Sequence, residues 1–340
     1  MTLKFIKYNS IENVTNIRTM LEIDRQGIDK EHWTLSEKVH GSCMTVYTDG
    51  TEVKFARRSA FLKEDEKFYN YHLISEDLKE KTLGLFAEIN KNSDMFNEEI
   101  TDISVFGELF GGSFDHPDIE KLNMKGIQKG IFYSPTVEFM AFDLSINGLM
   151  VDQHTFETFI GASGIFYAEP LLKGTLEECL QYPNKYDSTI PELLGYPKLT
   201  DNVCEGNVLK PEMTVYFGNG SRVILKNKNE KWEEKSKAGK KIRKQPIDLS
   251  VEAIQKISDM DQYVTENRLR NVLSKIGEVT EKDFGKILGL YMLDLIEDYE
   301  KDYEPPNIES QESNAVNKTV SRGVGELIRP NFRNIVESTF

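Results

Sequence analysis

The sequence predicts an α+β protein: antiparallel sheets with flanking helices over the first two-thirds, then a small all-α C-terminal domain. Three observations lead there. Met44 and Val46 alternate with Thr45 and Tyr47, and Val53 and Phe55 flank Lys54 beyond Asp49-Gly50, a pattern that makes a hairpin. Short apolar runs at Ile103 to Phe106, Glu138 to Leu144, Asn207 to Lys210 and Arg222 to Leu225 read as further strands. After Pro246 the apolar period lengthens to that of helices.

The helical elements follow in order. Asp152 to Ile160 and Leu176 to Gln181 lie between strands. Lys235 to Lys241 is polar, basic and contains Gly239, which reads as a linker. The expected organisation is therefore a body over 1–234, a basic linker over 235–248 and a helical domain over 249–340. Asp248-Leu249-Ser250 starts a helix, and Thr280 with Asp283 resembles a capping box. Ile287, Leu290 and Leu293 then share one helical face, and a last helix over Ala315 to Ile328 should end near Pro330.

Composition narrows the class. The chain has 340 residues, 39% hydrophobic and 29% charged, enough apolar material for a substantial core. No apolar run reaches the roughly 18 residues of a membrane span, and Met1 to Phe5 opens no secretory signal. Three scattered cysteines, Cys43, Cys179 and Cys204, suggest neither a zinc site nor a disulfide framework. A reduced, intracellular and cytoplasmic protein is the expectation, with no membrane partner. The net charge of -14 disfavours indiscriminate nucleic-acid binding. Between Lys226 and Lys244, however, nine basic residues face three acidic ones, a local +6 that is either a solvated linker or a nucleic-acid contact.

Glu37-Lys38-Val39-His40-Gly41 precedes the hairpin. Alone it is an ordinary surface lysine beside a structural histidine. Five more segments follow in fixed order: Ala56-Arg57-Arg58-Ser59, Val105 to Gly111, Phe139-Met140-Ala141-Phe142-Asp143, Glu205-Gly206-Asn207-Val208-Leu209-Lys210 and Val223 to Lys228. Each is loose, but the ordered set resembles the six-motif signature of covalent nucleotidyltransferases, the nucleic-acid ligases and messenger-RNA capping enzymes. Lys-x-His-Gly, with His40 where the superfamily usually has Asp, is similar to the RNA ligase 2 family of phage nick-sealing and kinetoplastid RNA-editing ligases. Asn267 to Glu278 and Lys282 to Lys286 resemble that family's helical C-terminal domain. The implied fold is a nucleotidyltransferase (ATP-grasp-like ligase) domain plus that helical module.

The resemblance implies a reaction. Lys38 attacks the α-phosphate of ATP, AMP passes to an RNA 5′-phosphate, and a 3′-hydroxyl then displaces AMP. The amine must be neutral, and a lysine at its reference pKa near 10.4 is about one part in 2,500 neutral at pH 7. Arg58, Lys226 and Lys228 are the cations expected to favour the neutral amine and to neutralise the phosphates. Phe142 and Val208 are implied to sandwich adenine, Glu108 to contact ribose, and Glu37 and Val39 to line the nucleotide pocket. Glu205 is the implied ligand of Mg2+ (or Mn2+), and His40 is implied in the later transfer steps. Lys210, Arg268, Asp294 and Asp298 are the implied RNA contacts, although the last three also fit ordinary helix salt bridges. Gln128 matches a position near the nucleotide.

Two departures stand out. Ser42-Cys43 occupies the place of Thr-Asn in the phage enzymes, so an amide is missing. The stretch from Gly112 to Tyr133 is longer, and its Asp115-His116-Pro117-Asp118 reads as a polar turn rather than a metal cluster. Two rival readings remain: a DNA ligase or capping guanylyltransferase, disfavoured because helices rather than a β-barrel follow Pro246, and a non-catalytic RNA-end binder, disfavoured because Lys38, Glu205, Lys226 and Lys228 are all present.

Overall fold

A computed structural model describes residues 3–232, 249–304, 306 and 308–340. The chain forms two compact units. One contains the residues up to Thr15 and Thr19 to Asn229, and the other contains Asn16 to Arg18 and the chain from Glu230. The linker expected over 235–248 lies outside the described residues, as does most of the basic run.

The first unit contains, in chain order, β1 (Glu12–Asn13), α1 (Ile17–Arg25, shared with the second unit), β2 (Trp33–Glu37), β3 (Ser42–Thr48), β4 (Val53–Arg57), β5 (Ala60–Phe61) and α2 (Ser75–Lys91). It continues through β6 (Ile103–Ser113), β7 (Ser134–Ile146), β8 (Leu149–Met150), α3 (Gln153–Ser163) and β9 (Pro170–Gly174). It closes with α4 (Leu176–Gln181), α5 (Ile190–Leu193), β10 (Gly206–Pro211) and β11 (Leu225–Lys228). Two sheets result: a six-stranded one ordered β5-β4-β3-β6-β7-β8 and a five-stranded one ordered β1-β11-β10-β2-β9. Every pairing is antiparallel except β1 with β11.

The expected hairpin is β3–β4. Asp49 caps its loop by accepting from the Thr51 and Glu52 amides at 3.0 and 2.9 Å. The expected strand at Arg222 to Leu225 starts later, at Leu225, because Val223 N–H turns back to the Val215 carbonyl. Val46, Leu85, Val105, Leu144, Phe156 and Ile160 pack the six-stranded sheet against α2 and α3. Ile23, Trp33, Leu35, Leu176 and Leu209 pack the five-stranded sheet against α1 and α4. A third cluster joins the sheets to each other: Tyr8, Phe106 and Ile224 are buried, with Phe142 and Val208 against them.

The second unit holds α6 (Val251–Asp261), α7 (Glu266–Ser274), α8 (Phe284–Asp302) and α9 (Ser310–Val336) around a core that includes Ile257, Leu269, Tyr291, Leu295 and Val324. The α+β expectation holds. The expected stop at Pro330 does not: α9 runs on to Val336. A proline removes one helical N–H bond, but Ile328 and Ile335, 0% and 4% exposed, sit on the core on either side of it. Burial on both flanks outweighs the lost bond.

Arg268 is 1% exposed. It pairs with Asp294, donates to Asp298 at 2.8 Å and lies over the Tyr263 ring. Lys275 also reaches Asp294. These contacts pin α7 to α8. Truncating one partner of a buried pair costs about 3–5 kcal/mol. Because Asp294 and Asp298 still reach solvent, Arg268→Ala should fall near the lower figure, about 3 kcal/mol, in denaturant unfolding of the full chain. A loss below about 1 kcal/mol accompanied by weaker RNA retention would return Arg268 to a ligand-facing role.

Candidate active site

The site forms where the two sheets meet. β2 belongs to the five-stranded sheet and β3 to the six-stranded one, so Lys38 to Gly41 is the strap between them. Lys38 N–H donates to the Gly206 carbonyl at 2.8 Å, tying the strap to the start of β10. Gly206 has φ +134°, and a Cβ there would meet the Asn227 carbonyl oxygen at 2.1 Å. At Gly41 a Cβ would meet the Leu109 oxygen at 2.2 Å. Both positions therefore require glycine for close backbone approach.

One buried carboxylate organises the charges. Glu205, its side chain 3% exposed, takes the Lys38 amine on Oε2 at 2.8 Å and the Lys228 amine on Oε1 at 2.7 Å. His40 Nδ1 is 3.5 Å from the same Oε2. Burial alone would raise the Glu205 carboxyl, but Lys228 and Lys38 outweigh it and hold it well below the usual carboxylate range. The immediate partner of Lys38 is thus a carboxylate, and Lys228, one of the cations expected near it, sits on that carboxylate's other oxygen. Lys226 shares its strand two residues earlier, paired across to Val208.

Glu108 on β6 pairs across to Cys43 on β3. Burial raises its carboxyl to about 7, Lys38 opposes that rise, and Glu205 adds to it. Arg58, just beyond β4, acts on Glu108 and hydrogen-bonds the Cys43 thiol. That thiol is pushed up to about 12, first by burial and then by Glu108. Where an amide was missing from the motif, a neutral sulfur therefore contacts the arginine.

Phe142 on β7 and Val208 on β10 are both half-buried and share the cluster between the sheets. Tyr8 supports Phe142, with ring centroids 4.9 Å apart. Val39 is buried. Glu37 faces away from open space: its oxygens accept from Ser188 Oγ at 2.6 Å and from Thr189 N and Oγ1 at 2.8 and 2.9 Å. It anchors the loop before α5. Gln128 likewise braces backbone, accepting from Gly111 N–H at 3.0 Å.

Lys210 is not on an RNA-accessible surface. It is 8% exposed, donates to the Phe142 carbonyl at 2.8 Å and lies 3.7 Å from Asp143. Burial lowers its amine to about 8 against the pull of Asp143. Arg222 and Tyr8 also bond Asp143, the latter at 2.8 Å. Arg268, with its partners Asp294 and Asp298, lies in the second unit, and its guanidinium is likewise buried.

Sequence reasoning missed Tyr8, Asp143 and Arg222, which stitch β7 to the segment before β11. It also missed Tyr133. The Tyr133 hydroxyl accepts from the His40 N–H at 2.9 Å, so the end of the long 112–133 stretch fixes the strap. Asn202 secures that end, bonding the Phe132 N–H and carbonyl at 2.8 and 2.7 Å. No local signal marks such contacts, because the partners are 70 or more residues apart. At Asp115 to Asp118 the structure has a turn, with Asp118 N–H donating to His116 Nδ1 at 3.2 Å. No cluster of three or more His, Cys, Asp or Glu suited to a metal occurs among the described residues. No helix among them is long and apolar enough to cross a membrane.

Residues 31–228 match the family model described as RNA ligase, and residues 248–326 match that of the T4 RNA ligase 2 C-terminal region. The mitochondrial RNA-editing ligase 2 of Trypanosoma brucei brucei is 26% identical, over 88% of this chain and 84% of that protein. The mitochondrial RNA-editing ligase 1 of the same organism is 29% identical over 55% of this chain, which spans only 46% of that relative. A Naegleria gruberi RNA ligase structure with pyrophosphate is 15% identical, with a TM-score of 0.42, over 68% of this chain and 58% of that one. The first match alone spans more than half the sequence, and it contains Lys38, Glu108, Phe142, Glu205 and Lys228: the chain belongs to the RNA ligase family.

Proposed function

We propose that this protein is an ATP-dependent RNA ligase that seals 3′-hydroxyl and 5′-phosphate ends at nicks in duplex RNA through a covalent AMP on Lys38. The observation that carries the reading is the Lys38–Glu205–Lys228 arrangement at the meeting of the two sheets. An amine, a second cation and a carboxylate converge there.

The chemistry follows from the side chains. Once its contact with Glu205 opens and its ammonium gives a proton to water, the Lys38 amine has a lone pair to form a bond to the α-phosphorus. The bond from that phosphorus to the bridging oxygen breaks, pyrophosphate leaves, and the amine nitrogen loses its proton. Lys228, Lys226 and Arg58 supply fixed positive charge for the phosphate oxygens. Phe142 and Val208 offer two apolar faces for a flat base. Glu108, on the neighbouring strand, suits sugar hydroxyls. In transfer, an RNA 5′-phosphate oxygen displaces Lys38 from the phosphorus, and in sealing a 3′-hydroxyl displaces AMP. We assign these later steps to His40, beside Glu205.

Glu205 also fits a divalent cation. Magnesium is commonly held by one or two carboxylates, with waters and substrate phosphates completing its shell. A single deep carboxylate without a surrounding cluster matches that demand. When bound, Mg2+ or Mn2+ would supply charge neutralisation on the phosphates.

Two outcomes test the reading. Incubated with magnesium and ATP labelled at the α-phosphate, the chain should acquire covalent label, and Lys38→Ala should acquire none. Label on the variant, or none on the parent chain, sinks the proposal; comparing RNA, DNA and hybrid nicks then settles the substrate. The second outcome concerns pH. With its carboxyl near 7, Glu108 is ionised, and ready to accept from hydroxyls, only above that value. Nucleotide affinity should rise as pH passes through about 7, and this rise should disappear in Glu108→Gln. The same raised value means that the folded chain keeps a proton that the unfolded chain releases near 4.5. The stability tied to Glu108 is therefore complete below about 4.5 and is lost as pH climbs through about 7. Unfolding of Glu108→Gln should show a shallower decline across that window.

A further inference from the structure

Two of the basic residues expected to contact RNA, Lys210 and Arg268, are buried and engaged inside the fold. A chain of net charge -14 that handles a polyanion needs cations concentrated elsewhere. α9 concentrates them. At about 100° per residue, Lys318, Arg322, Arg329 and Arg333 fall within an arc of about 60° on one side of the helix. All four are exposed. The side chains of Lys318, Arg322 and Arg329 have no ion pair or hydrogen bond among the described residues, while Arg333 pairs with Glu337 at 2.9 Å. Of the carboxylates within α9, Glu326 lies at the border of the arc, about 20° beyond Arg333, and Glu312 about 60° beyond it.

From this we infer that the basic face of α9 docks the sugar–phosphate backbone of duplex RNA, an inference that rests on the RNA ligase reading. From Lys318 to Arg333 the stripe runs about 22 Å at 1.5 Å per residue, long enough to meet several successive phosphates. The opposite side of the helix is committed to the core through Val316, Val320, Val324 and Ile328, so the orientation of the stripe is fixed by packing. Long side chains ending in charge suit phosphates without reading base sequence. This is the specificity expected of an enzyme that meets ends of any sequence.

The test is the salt dependence of binding by the full chain. Each phosphate contact contributes about 0.7–0.9 to the slope of log affinity against log salt. The combined variant Lys318→Gln, Arg322→Gln and Arg329→Gln should therefore bind nicked duplex RNA with a slope shallower by about 2–3. Its affinity at low salt should fall on the order of 10- to 100-fold. AMP transfer to Lys38 and the thermal midpoint should match the parent chain, because the three residues are exposed. An unchanged slope overturns the inference, as does loss of retention on phosphatidylserine vesicles with RNA binding intact. If the parent chain takes AMP and the slope does not move, only the stripe fails. If it takes no AMP but the slope falls, the stripe stands and the ligase reading fails.

Discussion

A single buried carboxylate sets the terms for this protein. Glu205 has two oxygens, and each takes a lysine from a different part of the sequence, Lys38 after β2 and Lys228 at the end of β11. An isolated charge buried to that degree would be costly, so the pairings are what make its position tolerable. Once they form, the strap between the sheets cannot wander. Gly206 lets β10 approach Asn227 closely, which fixes Glu205 just before the strand. The position of Lys38 thus follows from charge compensation as much as from apolar packing.

A second network divides the labour. Asp143, Arg222, Lys210 and Tyr8 lie beneath Phe142 and carry no chemistry of their own in this reading. Lys210 bonds the Phe142 carbonyl while its charge balances Asp143. The support of Phe142 and the anchor of Lys38 are consequently built from one segment, Lys210 on β10 and Glu205 just before it.

Much of this was legible in the sequence. The hairpin at Asp49-Gly50, the helix over 176–181 and the change to helices after residue 249 all follow from local periodicity. The motif residues Lys38, Glu108, Phe142, Glu205 and Lys228 were legible because their order along the chain is distinctive. Burial was not. Lys210 and Arg268 are charged residues whose partners lie 67 positions upstream and 26 or more downstream, and composition gives no hint that such a side chain turns inward. The role of Tyr133 was hidden for the same reason. Pro330 misled because a local breaker was outweighed by the buried residues on each side of it, an effect visible only once the core is known.

The bond from His40 to Tyr133 spans 93 positions, and that from Lys38 to Glu205 spans 167. Contacts of such sequence separation form late, because long loops must close before they bring any gain. During synthesis from the N-terminus, Lys38 emerges long before Tyr133, Glu205 and Lys228. The strap therefore has no fixed shape until the strand that ends at Lys228 has been made and both sheets have closed on each other. An incomplete chain holds Lys38 but not its surroundings, so the chemistry proposed for Lys38 has its setting only once the whole first unit is complete.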